Sequence, residues 1–371
     1  MTFPLLAEHI ESQLPHVGLR DREFPLHLQQ LKQGGSFSPS VELFHGNTLH
    51  VLASLPENSV DCVITSPPYW GQREYGEGGI GLEGDPKDYI RNLCDIFDEV
   101  QRVLSPTGSF WLNIGDTYHN KALVGIPWRV ALELTDNRNW IMRNSVVWNK
   151  IKGGMDNTRD RLGNAHENVF HFVKQSKGYF YDADAIRSKP RESKVVNGAV
   201  VSATGVSGVR YKRQIELSTA LSEHEKRNAL NALQDILTCV SEGSLSDFRM
   251  IIRGQQRTTH SNSTKLSGRA KELAERGFYF LKYHPNGSKP TDVWDILPED
   301  TQKRLLHFAP FPIDLCRIPI LATCPSSGLV LDPFCGTGSA LVAAHRLGRS
   351  SIGVDICREY LNHAQERLYC E

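Results

Sequence analysis

LVLDPFCGTGSALVAAHRLGRSSIGVD, residues 329–355, is the segment that indicates the fold of this chain most clearly. Its first three residues, Leu329 to Leu331, are apolar and predict a buried strand. A helix is predicted from Gly338 to Leu347, and a second strand from Ser351 to Val354. A strand, a glycine-containing turn, a helix and a further strand, in this order, are typical of a parallel α/β unit.

The same alternation runs through the earlier part of the chain. Apolar residues recur at helical spacing between Pro86 and Leu104, with one face suited to burial. Further strands are predicted at residues 41–44, 60–65, 109–114, 145–148 and 169–173, and a last helix at 359–368. We therefore predict an α/β protein with a doubly wound, mostly parallel sheet. Ligands of such sheets bind at the carboxyl ends of the strands.

The 371 residues suffice for one large domain, or for a core domain with a smaller module. The chain has no net charge, which counts against DNA binding, but residues 187–276 hold sixteen Lys or Arg and nine Asp or Glu, a local net charge of +7. This part is also rich in Ser and Gly, which is typical of an inserted module. The predicted division is an N-terminal extension at 1–40, core halves at 41–185 and 285–371, and an insertion at 186–284.

Composition narrows the class of protein. Apolar residues make up 40% of the chain, which favours a packed core over disorder. No run of eighteen apolar residues occurs, and the N-terminus lacks the pattern of a secretion signal, so a cytoplasmic protein without a membrane span is predicted. None of the eight cysteines forms a Cys-x-x-Cys pair, which indicates free thiols and no metal site.

The first of two notable loops is Thr65-Ser66-Pro67-Pro68-Tyr69-Trp70, directly after the predicted strand at 60–65. The two prolines restrict the backbone and remove two N–H donors, so that nearby carbonyl groups remain as acceptors. Ser66 adds another acceptor and Tyr69 an aromatic face, a combination that suits a nucleobase with an amino group. Trp70 either stacks on the base or packs in the core.

The second loop is Asp332-Pro333-Phe334-Cys335-Gly336-Thr337-Gly338-Ser339. Its glycines allow the backbone to approach a ligand closely, and the helix that follows offers N–H donors to a carboxylate. Asp355 ends the next strand, where an acidic residue can bind ribose hydroxyls. The spacing matches neither a Walker loop nor the full nicotinamide-binding fingerprint.

Together the two loops resemble motifs of the amino-group DNA methyltransferases. Ser66-Pro67-Pro68-Tyr69 is similar to that family's catalytic motif, and Asp332 to Gly338 is similar to its S-adenosylmethionine motif. The catalytic motif comes first here, an order similar to that of the family's beta group, in which the recognition module lies between the two halves. The resemblance covers residues 41–185 and 285–370. It implies the S-adenosylmethionine-dependent methyltransferase fold, that cofactor, and double-stranded DNA as substrate.

Smaller motifs extend the resemblance. Gly46-Asn47 is similar to the motif that contacts the cofactor adenine, although the family often has Asp at the second position. The segment 307–312 is similar to the one that closes over the cofactor, and 113–116 matches a strand-end motif near the site. The resemblance thus assigns catalysis to Ser66, Pro67, Pro68 and Tyr69. It assigns cofactor binding to Asn47, Pro310, Phe311, Asp332, Phe334, Gly336, Thr337, Gly338 and Asp355.

Base chemistry gives these residues roles. The lone pair of an exocyclic amino nitrogen is delocalised into the ring, and two acceptors for its N–H groups, the Ser66 hydroxyl and the Pro67 carbonyl, would localise it. Tyr69 would stack on a base that has left the duplex. Serine before Pro-Pro favours cytosine N4 as the methyl acceptor, with adenine N6 as the alternative. Cytosine C5 chemistry is excluded because no Pro-Cys occurs, and Glu167-Asn168-Val169 is interpreted as a chance match to that class.

Other classes of function are also open. A DNA-binding relative without catalysis would keep the fold, and relatives that methylate RNA or a protein glutamine look similar, although the motif order and the serine disfavour them. No fused endonuclease is predicted. The chain is expected to act as a monomer or homodimer, either alone or beside a separate restriction endonuclease.

Overall fold

The computed structural model of the protein describes residues 16–21, 39–72, 79–151, 158–188, 192–196, 199–203, 205–255, 268–299 and 311–370. The chain divides into two compact units. The first comprises residues 1–185 and 291–371, and the second comprises residues 186–290.

Most strands of the described residues belong to one sheet in the first unit. They are β1 (His16–Asp21), β2 (Ser40–His45), β3 (Val60–Thr65), β4 (Leu104–Ile114), β7 (Ile141–Asn149), β8 (His166–Val173), β13 (Val293–Asp295), β14 (Leu329–Asp332) and β15 (Ser350–Asp355). The others form antiparallel pairs: β5 (Tyr118–His119) with β6 (Ala122–Leu123), β9 (Lys194–Val196) with β10 (Ala199–Val201), and β11 (Asp247–Ile252) with β12 (Phe278–Tyr283).

The order of strands in the large sheet is β1-β2-β15-β14-β3-β4-β8-β7-β13. Neighbouring strands are parallel except at β8, which runs antiparallel to both β4 and β7. Strands β14 and β15 come last in the sequence, yet in the sheet they lie between β2 and β3, which come near its start. The predicted α/β fold with a mostly parallel sheet is therefore confirmed.

Helices accompany the sheet and also form part of the second unit. Those of the first unit are α1 (Thr48–Ser54), α2 (Pro86–Val103), α3 (Ile126–Asn137), α7 (Ile313–Thr323), α8 (Ser339–Arg346) and α9 (Arg358–Tyr369). Those of the second are α4 (Gly208–Glu216), α5 (Glu223–Ser241) and α6 (Gly268–Arg276). Local sequence explains the start of α2, because the Asp85 side chain accepts from Lys87 N and Pro86 occupies the first turn.

The sheet of the first unit is covered on both faces. Consecutive side chains of a strand point to opposite faces, so Phe110 and Trp111 of β4 join different apolar clusters. Phe110 packs in the cluster that includes Phe97 of α2, and Trp111 in the cluster that includes Leu315 of α7. Burial on both faces is what a doubly wound arrangement requires.

The predicted N-terminal extension contains one strand of the large sheet. Residues 16–21 form β1, a parallel edge strand whose partner is β2. Its sequence, HVGLRD, has neither a continuous apolar run nor a regular alternation, so nothing in its pattern indicated a strand. The rest of the predicted extension, residues 1–15 and 22–38, lies outside the described residues.

The second unit has an apolar core of its own. Tyr211 and Ile215 of α4, Leu233 of α5, and Phe248 and Phe278 of the β11–β12 pair are buried together. This stretch is polar and basic in overall composition, but its interior is apolar. Across both units, no helix in the described residues is long and apolar enough to cross a membrane.

The packing of Phe110 yields a prediction of stability. Its ring is fully buried and contacts the rings of Phe97, Trp140 and Phe172. Phe110→Ala should lower the free energy of unfolding by about 3–5 kcal/mol, because it removes apolar contacts and leaves a cavity. Urea denaturation measures the change. Leu162→Ala, at a side chain that is 89% exposed, is the control and should change it by less than about 0.5 kcal/mol.

Candidate active site

The two loops singled out in the sequence lie next to each other. They follow β3 and β14, which are parallel neighbours, so both loops leave the same edge of the sheet. The Thr65 hydroxyl at the end of β3 donates a hydrogen bond of 2.6 Å to Asp332 Oδ1 at the end of β14. Both side chains are fully buried. This contact joins the proline-rich loop directly to the glycine-rich loop.

A cavity of about 500 Å³ opens at this edge of the sheet. The predicted site residues that line it are Asn47, Ser66, Pro67, Pro68, Tyr69, Phe311, Phe334, Gly336, Thr337 and Asp355. Asp332, which is fully buried, and Gly338, which is the N-cap of α8, are not among the residues that line it. Pro310 lies outside the described residues.

The proline-rich loop is fixed from two sides. The Pro68 carbonyl accepts a hydrogen bond of 2.8 Å from the Tyr89 hydroxyl of α2. Trp70 is buried in the core and donates from Nε1 to the Glu83 carbonyl, so the packing alternative for this residue is correct. No donor from the described residues reaches the Pro67 carbonyl.

Polar side chains from four strand ends surround the Tyr69 hydroxyl. Tyr69 donates to Glu167 Oε2 at 2.6 Å, and its oxygen lies 3.2 Å from Ser66 Oγ. Asn113 Nδ2 lies 2.9 Å from Glu167 Oε2 and within 3.2 Å of both hydroxyl oxygens. Lys150 forms an ion pair with the other oxygen, Glu167 Oε1. We call Ser66, Tyr69, Asn113, Lys150 and Glu167 the Glu167 cluster.

The environment of Tyr69 keeps its hydroxyl protonated. Burial, and then the charge of Glu167, raise the pKa of Tyr69 well above its usual value. The ring also packs closely against the backbone at Gly115. A Cβ atom added there would lie only 2.6 Å from Tyr69 Cε2, so no side chain fits at this position without moving the ring. Tyr69 is therefore held both at its hydroxyl and along its ring edge.

The glycine-rich loop is shaped around Asp355. Gly336 and Gly338 have φ angles of 51° and 79°, which residues other than glycine rarely adopt. Asp355 Oδ2 accepts from Gly336 N, and Oδ1 accepts from Cys357 N, both at 2.8 Å. Burial raises the pKa of Asp355 to about 6 despite these bonds. Each oxygen retains a further lone pair for a ligand hydroxyl.

Neighbouring elements brace the same loop. The Thr48 hydroxyl of α1 donates to the Pro333 carbonyl at 2.8 Å. Arg367 of α9 donates to the Thr337 carbonyl at 2.8 Å and pairs with Glu299, another residue of the cavity wall. Asn47 caps α1 by accepting from Leu49 N and His50 N, so its side chain serves the helix as well as facing the cavity.

Sequence reasoning missed the part that Glu167 plays in this site. The residue lies on β8, whose antiparallel direction brings its first residues beside the carboxyl end of β4. From the sequence, the tripeptide that begins at Glu167 is interpreted only as a chance match. A signal was nevertheless present: an acidic residue at the start of a strand that otherwise consists mostly of buried apolar side chains. Asp116, in contrast, accepts from Gly125 N and Ile126 N at the start of α3.

The buried carboxyl of Asp332 makes stability depend on pH. Burial raises its pKa from 3.8 to about 7. Because the folded-state pKa is raised, the contribution of this group to stability is complete below about pH 4 and is lost as the pH rises through 7. Asp332→Asn, which cannot ionise, should therefore be more stable than the native protein at pH 8, by up to about 4 kcal/mol.

Urea denaturation of both proteins at several pH values between 4 and 8 measures this difference. The advantage of Asp332→Asn should shrink as the pH falls, because the native carboxyl becomes neutral. A native protein that is the more stable of the two at pH 8 would show that the carboxylate itself holds the loop.

Comparison with known proteins identifies the family. The model of the N6/N4 methyltransferase family, described as DNA methylase, matches residues 60–366. The type II methyltransferase M.SfiI of Streptomyces fimbriatus is 32% identical, over 87% of this chain and 90% of that protein. The type II methyltransferase M.SmaI of Serratia marcescens is 27% identical, over 89% and 91%.

Among solved structures, the PvuII DNA methyltransferase (cytosine-N4-specific) matches with 18% identity and a TM-score of 0.49, over 89% of this chain and 86% of that one. The family match and the first relative each extend over most of the chain, and the family match, residues 60–366, includes both loops of the cavity. The chain thus belongs to the N6/N4 DNA methylase family and is an S-adenosylmethionine-dependent DNA methyltransferase.

Proposed function

We propose that this enzyme methylates the exocyclic N4 amino group of cytosine in DNA. The observation that carries the proposal is the pair of acceptors at the cavity, the Ser66 hydroxyl and the Pro67 carbonyl, beside the glycine-rich loop. Serine at the first position of Ser-Pro-Pro-Tyr favours cytosine over adenine, by resemblance to the amino-group methyltransferases. N6 methylation of adenine is the alternative outcome of the experiment below.

The residues of the cavity suit S-adenosylmethionine. Asp355 is placed to accept from ribose hydroxyls, and Phe334 and Phe311 offer apolar walls to an adenine ring. The loop from Gly336 to Gly338 lets the backbone approach the ligand, because both glycines have positive φ angles. When bound, the sulfonium cofactor supplies an electrophilic methyl group.

The two acceptors favour reaction at an amino nitrogen. The nitrogen has two N–H groups, and hydrogen bonds from both to Ser66 and Pro67 would draw the nitrogen out of conjugation with the ring. The same oxygens would stabilise the positive charge that develops on nitrogen during attack. Further acceleration comes from holding the amino group in line with the methyl group. Tyr69, held by the Glu167 cluster, provides the stacking surface.

A base reaches this cavity only by leaving the duplex. A volume of about 500 Å³ is in the range of small-molecule sites and cannot admit a double helix. Base flipping is therefore part of the proposed reaction.

The second unit is proposed to recognise the target sequence. Its helix α4 carries three exposed cationic side chains, those of Arg210, Lys212 and Arg213. Arginine and lysine contact phosphates and read guanine edges in the major groove. Because the relatives named above are type II methyltransferases, we further propose that the enzyme protects DNA from a separate restriction endonuclease.

Incubation with mixed-sequence DNA and methyl-labelled S-adenosylmethionine, followed by nucleoside analysis, tests the proposal. N4-methylcytosine is the expected product. N6-methyladenine would establish the alternative, and tight DNA binding without any methylated nucleoside would identify an inactive relative. Ser66→Ala should lower the rate of methyl transfer by about 10²-fold or more, since it removes one acceptor for the amino group. A full rate in this variant would contradict the role given to Ser66.

The confinement of Tyr69 gives another prediction. Gly115→Ala should displace the Tyr69 ring, because the new Cβ would lie 2.6 Å from Cε2. We expect the rate of methyl transfer to fall at least about tenfold, in line with the sensitivity of catalysis to small misplacements. Cofactor affinity, measured by titration, should be nearly unchanged. Gly84→Ala, where an added Cβ has no atom within 4 Å, is the matched control.

A further inference from the structure

We propose that Glu167 is a positioning residue that fixes the direction of the hydrogen bonds from Ser66 through Tyr69 and receives, through them, the proton released by the methylated amino group. The proposal rests on the function proposed above. It follows from the Glu167 cluster, in which a carboxylate on β8 terminates a chain of hydroxyls that begins at the cavity.

The direction of the chain follows from the capacity of each group. A carboxylate has no proton to donate, so the bond between Tyr69 and Glu167 Oε2 uses the single proton of the Tyr69 hydroxyl. The bond of 3.2 Å between Ser66 and Tyr69 must then use the Ser66 proton. Of the two lone pairs of Ser66 Oγ, one faces Asn113 Nδ2 at 3.2 Å and the other remains for the cavity. This is the state in which it can accept from the amino group of a base.

Lys150 keeps this direction from reversing. Its ammonium group donates to Glu167 Oε1, so the other oxygen, Oε2, is the one that faces Tyr69. The Glu167 side chain is only 10% exposed, and its partner Lys150 is 26% exposed. A buried carboxylate needs such a partner, because an unpaired buried charge is strongly unfavourable. Asn113 donates to the same carboxylate and thereby adds to its stabilisation as an acceptor.

The same chain gives the reaction a route for its proton. As the amino nitrogen bonds to the methyl carbon, the carbon–sulfur bond breaks and its electron pair remains on sulfur, leaving a positive charge on nitrogen. The nitrogen then loses one proton to Ser66 Oγ, while the Ser66 proton passes to the Tyr69 oxygen and the Tyr69 proton passes to Glu167 Oε2. The products are a neutral methylamino group and a protonated Glu167, with both hydroxyls restored.

Two substitutions interrupt this chain at different points. In Glu167→Gln, Lys150 would hold the amide oxygen, so the amide nitrogen would face Tyr69 and donate to it. The Tyr69 and Ser66 protons would then point toward the cavity, against the N–H groups of the base. Tyr69→Phe removes the hydroxyl but keeps the ring, and it leaves the ion pair between Glu167 and Lys150 intact.

The experiment measures single-turnover methyl transfer to DNA, and cofactor binding by titration, for the full-length protein. Glu167→Gln and Tyr69→Phe should each lower the rate constant by about 10²-fold, the typical size of a proton-transfer contribution, with cofactor affinity unchanged. The rate constant of the double variant should lie within about threefold of that of the slower single variant. Both changes break the same chain of hydrogen bonds, so their effects should not multiply. Glu99→Gln is the matched control, because Glu99 is also a partly buried glutamate in an ion pair, with Arg102, but lies outside the cavity.

Each other result overturns the proposal. A full rate in Glu167→Gln removes the need for the carboxylate, and a full rate in Tyr69→Phe shows that Glu167 does not act through the hydroxyl. Rate losses that multiply in the double variant show two independent roles. If Glu167→Gln fails to fold, Tyr69→Phe alone tests the proposal. A full rate of methyl transfer in Tyr69→Phe is then sufficient to overturn it. An absence of methyl transfer by the native protein would instead refute the proposed function.

Discussion

The hydrogen bond between Thr65 and Asp332 is the contact on which the site depends. It joins side chains that are 267 residues apart in sequence, at the ends of two parallel strands that lie side by side. A buried pair of this kind has a narrow geometry, because neither group can turn to water for another partner. The proline-rich loop begins at the next residue, Ser66, and the glycine-rich loop at Pro333. The distance between the acceptor pair and the proposed cofactor loop is thus set by the sheet and locked by one bond.

This arrangement explains why the two motifs can meet at one cavity although the proline-rich motif precedes the glycine-rich motif in sequence. Strands β14 and β15 come last in sequence but enter the sheet between β2 and β3. What matters for the cavity is which strand ends are neighbours, and parallel strands place their carboxyl ends at one edge in whatever order they are connected. The second unit, residues 186–290, falls in the interval between the two halves, where the chain leaves and rejoins the first unit.

The sequence was informative wherever a residue pattern had a local cause. Strand β3 has the predicted bounds, Val60–Thr65, and α2 ends one residue from its predicted end, because apolar periodicity and Pro86 define these elements locally. The loops were found because prolines and glycines restrict or release the backbone within a few residues. Glu167 was missed because its place in the site comes from the antiparallel direction of β8, which is a property of the sheet. Strand β1 was missed because it depends on pairing with β2 more than on its own residues.

The three carboxyl groups around the cavity are stabilised in different ways, and the differences agree with their proposed roles. Asp332 has a hydroxyl and one backbone N–H on a single oxygen, and its pKa rises to about 7. Asp355 has a backbone N–H on each oxygen, and its pKa rises less, to about 6. Glu167 forms an ion pair with Lys150. A buried carboxylate that is to stay charged beside Ser66 is stabilised by that cation. The ion pair with Lys150 agrees with the proposal that Glu167 remains an acceptor until the proton arrives.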